Sequence, residues 1–146
     1  MEKIKIKVVL DEGAQLPVYA TPNSAGADVR CRESFTLQPG ERKLVSTGIK
    51  MQLEDGMECQ VRPRSGLALK HGITVLNSPG TIDADYRGDC DVILINFGHE
   101  PYTFEAGERI GQFIIKRDVV QADWDLVSFL DETERGQGGF GHSGKK

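Results

Sequence analysis

The most chemically loaded stretch of this sequence is its C-terminal end, Arg135-Gly136-Gln137-Gly138-Gly139-Phe140-Gly141-His142-Ser143-Gly144, half of it glycine. Glycine loses more backbone freedom on ordering than any other residue, so such a segment cannot belong to a core. A plain linker would carry only small polar residues between its glycines, whereas this one carries an arginine, a phenylalanine and a serine. Backbone N–H groups between glycines can approach an anion closely, a guanidinium grips phosphate through two parallel donors, and a phenyl face can cover a nucleobase. The composition therefore reads as an arm that closes over a phosphorylated ring compound, with a disordered tail as the competing reading.

Other segments carry compatible chemistry. Arg62-Pro63-Arg64-Ser65-Gly66-Leu67-Ala68 puts arginines, a hydroxyl and a glycine at the start of the one helix candidate, which suits a phosphate or, more simply, a serine N-cap with surface arginines. In Asn77-Ser78-Pro79-Gly80-Thr81-Ile82-Asp83-Ala84-Asp85-Tyr86-Arg87-Gly88 two carboxylates stand two residues apart, on one side of an extended chain. A hairpin there would present main-chain donors and acceptors to a base edge, and one carboxylate could deprotonate a water, although Asp and Asn are also ordinary turn residues. Gly107-Glu108-Arg109-Ile110-Gly111-Gln112 places an amide inside an apolar run, where a ligand or a core hydrogen bond would satisfy it. Ala25-Gly26-Ala27-Asp28-Val29 sets one acid at a strand start, to hold a turn or assist a metal. His71, His99 and His142 are dispersed without metal-ligand spacing.

The elements that must position these groups are short apolar runs separated by Gly, Pro and Asn. Strands are predicted over Lys3–Leu10, Ala27–Arg32, Arg42–Lys50, Met57–Pro63, Cys90–Asn96, Tyr102–Phe104, Arg109–Arg117 and Asp125–Phe129. Only Ser65–His71 is composed like a helix, with Ser65 as cap and Gly72 as stop. One short helix cannot form a layer, so the reading is an all-β, jelly-roll-like sandwich or barrel over residues 1–130, followed by a flexible glycine-rich arm over 131–146.

Composition bounds the function. A chain of 146 residues forms one core, and a net charge of -4 argues against direct binding of nucleic acid, which needs a basic surface. The odd, widely spaced Cys31, Cys59 and Cys90 suit buried thiols better than a disulfide framework or zinc site. No apolar stretch is long enough for a membrane span, and the cytoplasm is the default compartment.

In order along the chain, Ala25–Val29, Arg62–Ala68, Asn77–Gly88, Gly107–Gln112 and Arg135–Gly144 closely resemble the motifs of the trimeric dUTPase family. The resemblance implies a homotrimer of jelly-roll-like subunits that hydrolyses dUTP to dUMP and pyrophosphate with Mg²⁺, each site drawing on three chains. It implies Asp83 as the base activating water and Tyr86 as the ring under the deoxyribose. It further implies Asn77, the backbone of Thr81, Ile82 and Asp83, and that near Asp91 as the uracil-reading surface. Arg64, Ser65, Gly66 and Gln112 match the phosphate contacts, and Arg135, Phe140, Gly141 and Ser143 the arm's grip and lid. Asp28 matches an acid that supports the metal through water. Three positions depart from the pattern: Gly111 stands where alanine is usual, His142-Ser143 where Ser-Thr is common, and Asp91 puts a charge beside the base-reading backbone. A dCTP deaminase shares the fold family, and a nucleotide-sensing module could use the scaffold. The intact arm and the Ile82–Tyr86 segment favour dUTPase over both.

Overall fold

Alternation dictates most of the strands. In the computed structural model, which describes residues 2–145, β6 (Glu58–Arg62) turns Cys59 and Val61 inward, and β9 (Val92–Asn96) turns Val92, Leu94 and Asn96 inward. Such period-two burial fits strands with one face on a core. The remaining strands are β1 (Lys7–Leu10), β2 (Ala27–Arg30), β3 (Phe35–Leu37), β4 (Arg42–Val45), β5 (Ile49–Gln52), β7 (Ile73–Val75), β8 (Gly80–Asp83), β10 (Tyr102–Phe104) and β11 (Arg109–Lys116). Every pairing is antiparallel: a four-stranded sheet β2-β11-β6-β8, a three-stranded sheet β4-β9-β7, and the pairs β1-β5 and β10-β3. Among the described residues no sheet closes into a barrel.

The core lies between these sheets, with Phe104, Phe113, Leu37, Ile49, Ile73, Leu94 and Ile110 fully buried. Each such side chain contributes roughly 2 kcal/mol of transfer free energy. The buried Asn96 amide donates to the carbonyls of Leu37 and Glu100 and accepts the Gly98 N–H, bracing the turn after β9. All three cysteines are buried and free. Burial, with the charge of Cys90 second, pushes the Cys59 thiol up to about 12, and burial pushes Cys90 up to about 11. Among the described residues no helix is long and apolar enough to cross a membrane.

Several sequence expectations need correction. The run Arg42–Lys50 splits into β4 and β5, because Gly48 sits at φ +69° and an added Cβ would lie 2.7 Å from that of Ala14. Strands β3, β7 and β8 lie outside the expected strands. No strand forms over Asp125–Phe129: the ladder stops at Lys116, and Trp124, Leu126, Phe129 and Leu130 are all exposed. A strand needs a pairing partner, and the segment lies along none of the sheet edges. The segment Asn77–Gly88 does not fold as a hairpin, since β8 pairs with β6 while β7 and β9 pair with each other in another sheet.

Candidate active site

The helix α1 (Ser65–His71) begins where Arg64, extended at φ -95° and ψ 128°, takes the N-cap position. Ser65 is thus the first helical residue and makes no capping bond, contrary to the sequence reading. Its hydroxyl is exposed beside Gly66, whose missing Cβ faces open space. Gly72, at φ +67°, ends the helix by donating to the Ala68 carbonyl. A Cβ there would strike the Gly98 backbone at 2.6 Å, so glycine is needed for both conformation and close approach.

Arg64 reaches back to the four-stranded sheet. Its Nε lies 3.8 Å from Asp28 Oδ1, and its Nη1 donates to the Arg109 carbonyl at 3.4 Å. Asp28 is 6% exposed and accepts two further bonds, from Gln112 Nε2 at 3.2 Å and Arg109 Nη1 at 3.2 Å. Asp28 and Gln112 face each other across the β2–β11 ladder, as do Arg30 and Arg109. A cleft of about 320 Å³ beside them is lined by Arg30, Arg64, Arg109, Tyr102 and Glu108. Three guanidinium groups and one carboxylate, that of Glu108, thus surround the opening, and Arg109 is neutralised by Asp28 while Arg30 donates to the Gly107 carbonyl. Arg109 and Arg30 are the residues sequence reasoning missed. Arg109 sits three positions from Gln112, a spacing that assigns it to the other face of a regular strand.

The second cleft, of about 380 Å³, opens where the chain crosses between the two larger sheets, and Asn77, Thr81, Ile82, Asp83, Tyr86 and Asp91 line it. Along β8 the residues Gly80 and Ile82 point inward while Thr81 and Asp83 point out. Asp85 falls in the following turn, closed by the Tyr86 N–H on the Asp83 carbonyl, so the two carboxylates do not share a strand face as the sequence suggested. Tyr86 is half-exposed and its hydroxyl donates to the Asp89 carbonyl at 3.0 Å. Asp91 turns an oxygen to the Thr47 N–H at 3.2 Å, and burial pushes its carboxyl above the usual carboxylate range. Its charge is therefore tied to a neighbouring turn. Lys50, held by Asp89 at 2.7 Å and by Asp11 at 3.3 Å, is pushed up by those partners.

Within one chain these groups stay apart. Asp83 is opposite Glu58 on β6, whereas Gln112 is opposite Arg62, four residues along the same strand. Four residues correspond to about 13 Å, and the two strand spacings from β8 to β11 add about 10 Å crosswise. The arm reaches neither cleft: Arg135 Nε donates to the Gly138 carbonyl at 2.9 Å, and Phe140 is fully exposed. Gly141 lies at φ +85°, and Ser143 is exposed.

The donor set bears on metal binding. Among the described residues no three or more His, Cys, Asp or Glu side chains cluster as metal ligands. Asp28 is the acid nearest the arginines, and both of its oxygens are already engaged. The site fits a hydrated ion carried in by a polyphosphate, with Asp28 behind the water shell, better than an ion caged by side chains.

Comparison with known proteins gives the family. The dUTPase family model matches residues 12–144. The chain belongs to the dUTPase family. A deoxyuridine 5'-triphosphate nucleotidohydrolase of Fusobacterium nucleatum is 54% identical over 99% of this chain and 100% of its own length. One from Chlamydia pneumoniae is 57% identical over 92% of this chain and 94% of its own. In fold, the chain resembles the dUTPase of Staphylococcus bacteriophage 80alpha solved with dUPNHPP, at TM-score 0.88, 24% identity, and coverage of 98% of this chain and 100% of the other. The enzyme is a dUTP diphosphatase, a hydrolase acting on a phosphoanhydride of a nucleotide.

Proposed function

We propose that this dUTPase cleaves dUTP to dUMP and pyrophosphate by water attack at the α-phosphorus, in sites shared among the jelly-roll-like subunits of a homotrimer. The observation that carries the sharing is the separation of Asp83 from Gln112, about 13 Å along the strands and about 10 Å across them, with Arg64 following the same end of β6 that Gln112 faces. A water poised on Asp83 cannot also lie against a phosphate held by the Arg64 of the same chain, because a base must be within hydrogen-bond reach of the proton it takes. The exposed apolar residues Trp124, Leu126, Phe129 and Leu130 and the unattached arm support the same reading, since exposed apolar stretches of this kind mark interaction surfaces.

In the shared site, Asn77 and the backbone of Thr81, Ile82 and Asp83, with that near Asp91, read the uracil edge, and Tyr86 packs under the deoxyribose. The cleft that all of them line is the support for this assignment. Asp83 accepts the proton of the attacking water as the new P–O bond forms and the bond to pyrophosphate breaks. Arg64, Ser65, Gly66 and Gln112 hold the phosphates of the leaving group. Residues 131–146 act as a lid on the 1–130 domain of a neighbour, with Arg135 on the phosphates, Phe140 over uracil, and Gly141 and Ser143 as further contacts. Mg²⁺ bound to the triphosphate would supply charge neutralisation, with Asp28 behind its water shell. The reaction would keep uracil out of DNA and supply dUMP for thymidylate synthesis, in the cytoplasm.

Pyrophosphate release from dUTP, its absence with dCTP, and no ammonia from either are expected; deamination of dCTP would overturn the assignment. Subunit mixing tests the sharing. Asp83→Asn trimers and trimers truncated before Arg135 should each be inactive, and co-refolding them should restore partial turnover. Inactivity of a mixture whose chain exchange is verified by mass would place base and arm in one chain.

A further inference from the structure

The register of β11 breaks between Arg109 and Gly111. Gln112 opposes Asp28 and Gly111 opposes Val29, yet Arg109 opposes Arg30, leaving the fully buried Ile110 as the extra residue of a β-bulge. In a regular strand, residues three apart point to opposite faces. The bulge instead sets Arg109 and Gln112 on one face, and both donate to the same carboxylate, that of Asp28. Arg64 completes the group, with its Nε 3.8 Å from that carboxylate and its Nη1 on the Arg109 carbonyl.

Two guanidinium groups thus surround one buried carboxylate, and the trio keeps one net positive charge. The distances are unequal: Arg109 is the nearer cation at 3.2 Å, and Arg64 stands off at 3.8 Å. We propose that Arg109 is a positioning residue for the hydrolysis. Its guanidinium satisfies Asp28, so that the Arg64 guanidinium is left free for the substrate's phosphates. The inference rests on the reading of Arg64 and Gln112 as phosphate contacts. Without Arg109 the buried carboxylate has Arg64 as its one close cation and draws it inward, and the net charge of the group falls from one to zero. Arg109 acts through Asp28 and needs no contact with substrate of its own.

Direct binding of a non-hydrolysable α,β-imido dUTP to the full-length enzyme, measured by calorimetry in EDTA, separates this role from a structural one. Arg109→Ala should raise Kd about tenfold, because a cation is lost beside a polyanion and a second is diverted. Adding Asp28→Asn to Arg109→Ala should recover most of that loss, since it restores the net positive charge and releases Arg64. A residue that merely held the bulge would gain nothing from neutralising Asp28. Arg109→Lys should bind near the parent level, and Arg109→Gln carries the same test if the alanine variant does not fold. Unchanged binding in Arg109→Ala, or no recovery in the double variant, would overturn the proposal. Arg64→Ala runs alongside: unchanged Kd there would remove the phosphate-site reading itself, whereas a loss there with no effect at Arg109 would remove only this inference.

Discussion

Replacing Gly88 by alanine should loosen sugar selection while leaving the fold nearly intact. An added Cβ would lie 2.4 Å from the Tyr86 hydroxyl oxygen and 2.6 Å from its Cζ. Ordinary van der Waals contact needs about 1 Å more, so the tyrosine ring must move. It is 45% exposed and can swing toward solvent, which makes the displacement cheap. The main loss is the bond to the Asp89 carbonyl at 3.0 Å. That bond is worth about 1 kcal/mol net, and a chain of this size would melt about 3–4 °C lower. The functional effect should be larger. Steric discrimination by a well-packed pocket amounts to about 10–200-fold, and a ring displaced by about 1 Å no longer crowds a 2′-hydroxyl. Pyrophosphate release from UTP and dUTP under identical conditions should show the dUTP preference falling at least about tenfold. Tyr86→Phe is the control, because it deletes the same hydrogen bond but keeps the ring in place; its melting temperature should fall equally with selectivity retained. If Gly88→Ala kept the preference of Tyr86→Phe, the ring would not be the sugar gate and the argument would be wrong.

Asp83→Asn should bind dUTP normally and lose about 10²–10⁴-fold in kcat, the usual contribution of a positioned base; near-parent turnover would take Asp83 out of the mechanism. Truncation before Arg135 should abolish most turnover with little change in melting temperature, since among the described residues the Arg135 side chain bonds only to the arm's own Gly138 carbonyl and Phe140 is bare; full activity would rule out a lid. For Asp91 the pKa is raised, so the native state holds this proton more firmly than the unfolded chain does, and the group's contribution to stability falls as pH rises through its titration. Asp91→Asn keeps an acceptor for the Thr47 N–H, and denaturant melts should therefore find it more stable than the parent at neutral pH, with the gap closing as pH falls through the raised native value and gone below the ordinary value of 3.8.

Elements whose signal is local were legible in the sequence. The helix Ser65–His71 and its glycine stop follow from a run of good helix formers ended by a residue free to adopt φ +67°. Strands β2, β6, β9, β10 and β11 follow from apolar alternation or β-branched runs. The signal failed wherever a partner decides the outcome. Asp125–Phe129 has strand-like residues, but it pairs with no other strand, and its side chains remain exposed. Ser65 has the chemistry of a cap, yet Arg64 takes the extended conformation that a cap requires. The segment around Asp83 looks like a hairpin because it carries turn residues at both ends, and nothing local reveals that its flanking strands join different sheets.

The site was legible to a different degree on its two sides. Residues of the proposed base cleft lie close together in sequence, from Asn77 to Asp91, so one segment announces most of that surface. The proposed phosphate side is assembled from β2, the start of α1 and β11, and its geometry turns on Ile110, an apolar residue that does no chemistry. Its burial as an extra residue shifts strand parity, and parity alone decides whether Arg109 meets Asp28 or points away from it. A count of spacing from Gln112 gives the wrong face, because a bulge is a property of two strands held in register. The charge balance around Asp28 is therefore set by a packing event in the core. Substitutions at Ile110 that return β11 to regular pairing should disturb the phosphate site without altering any residue that carries a charge.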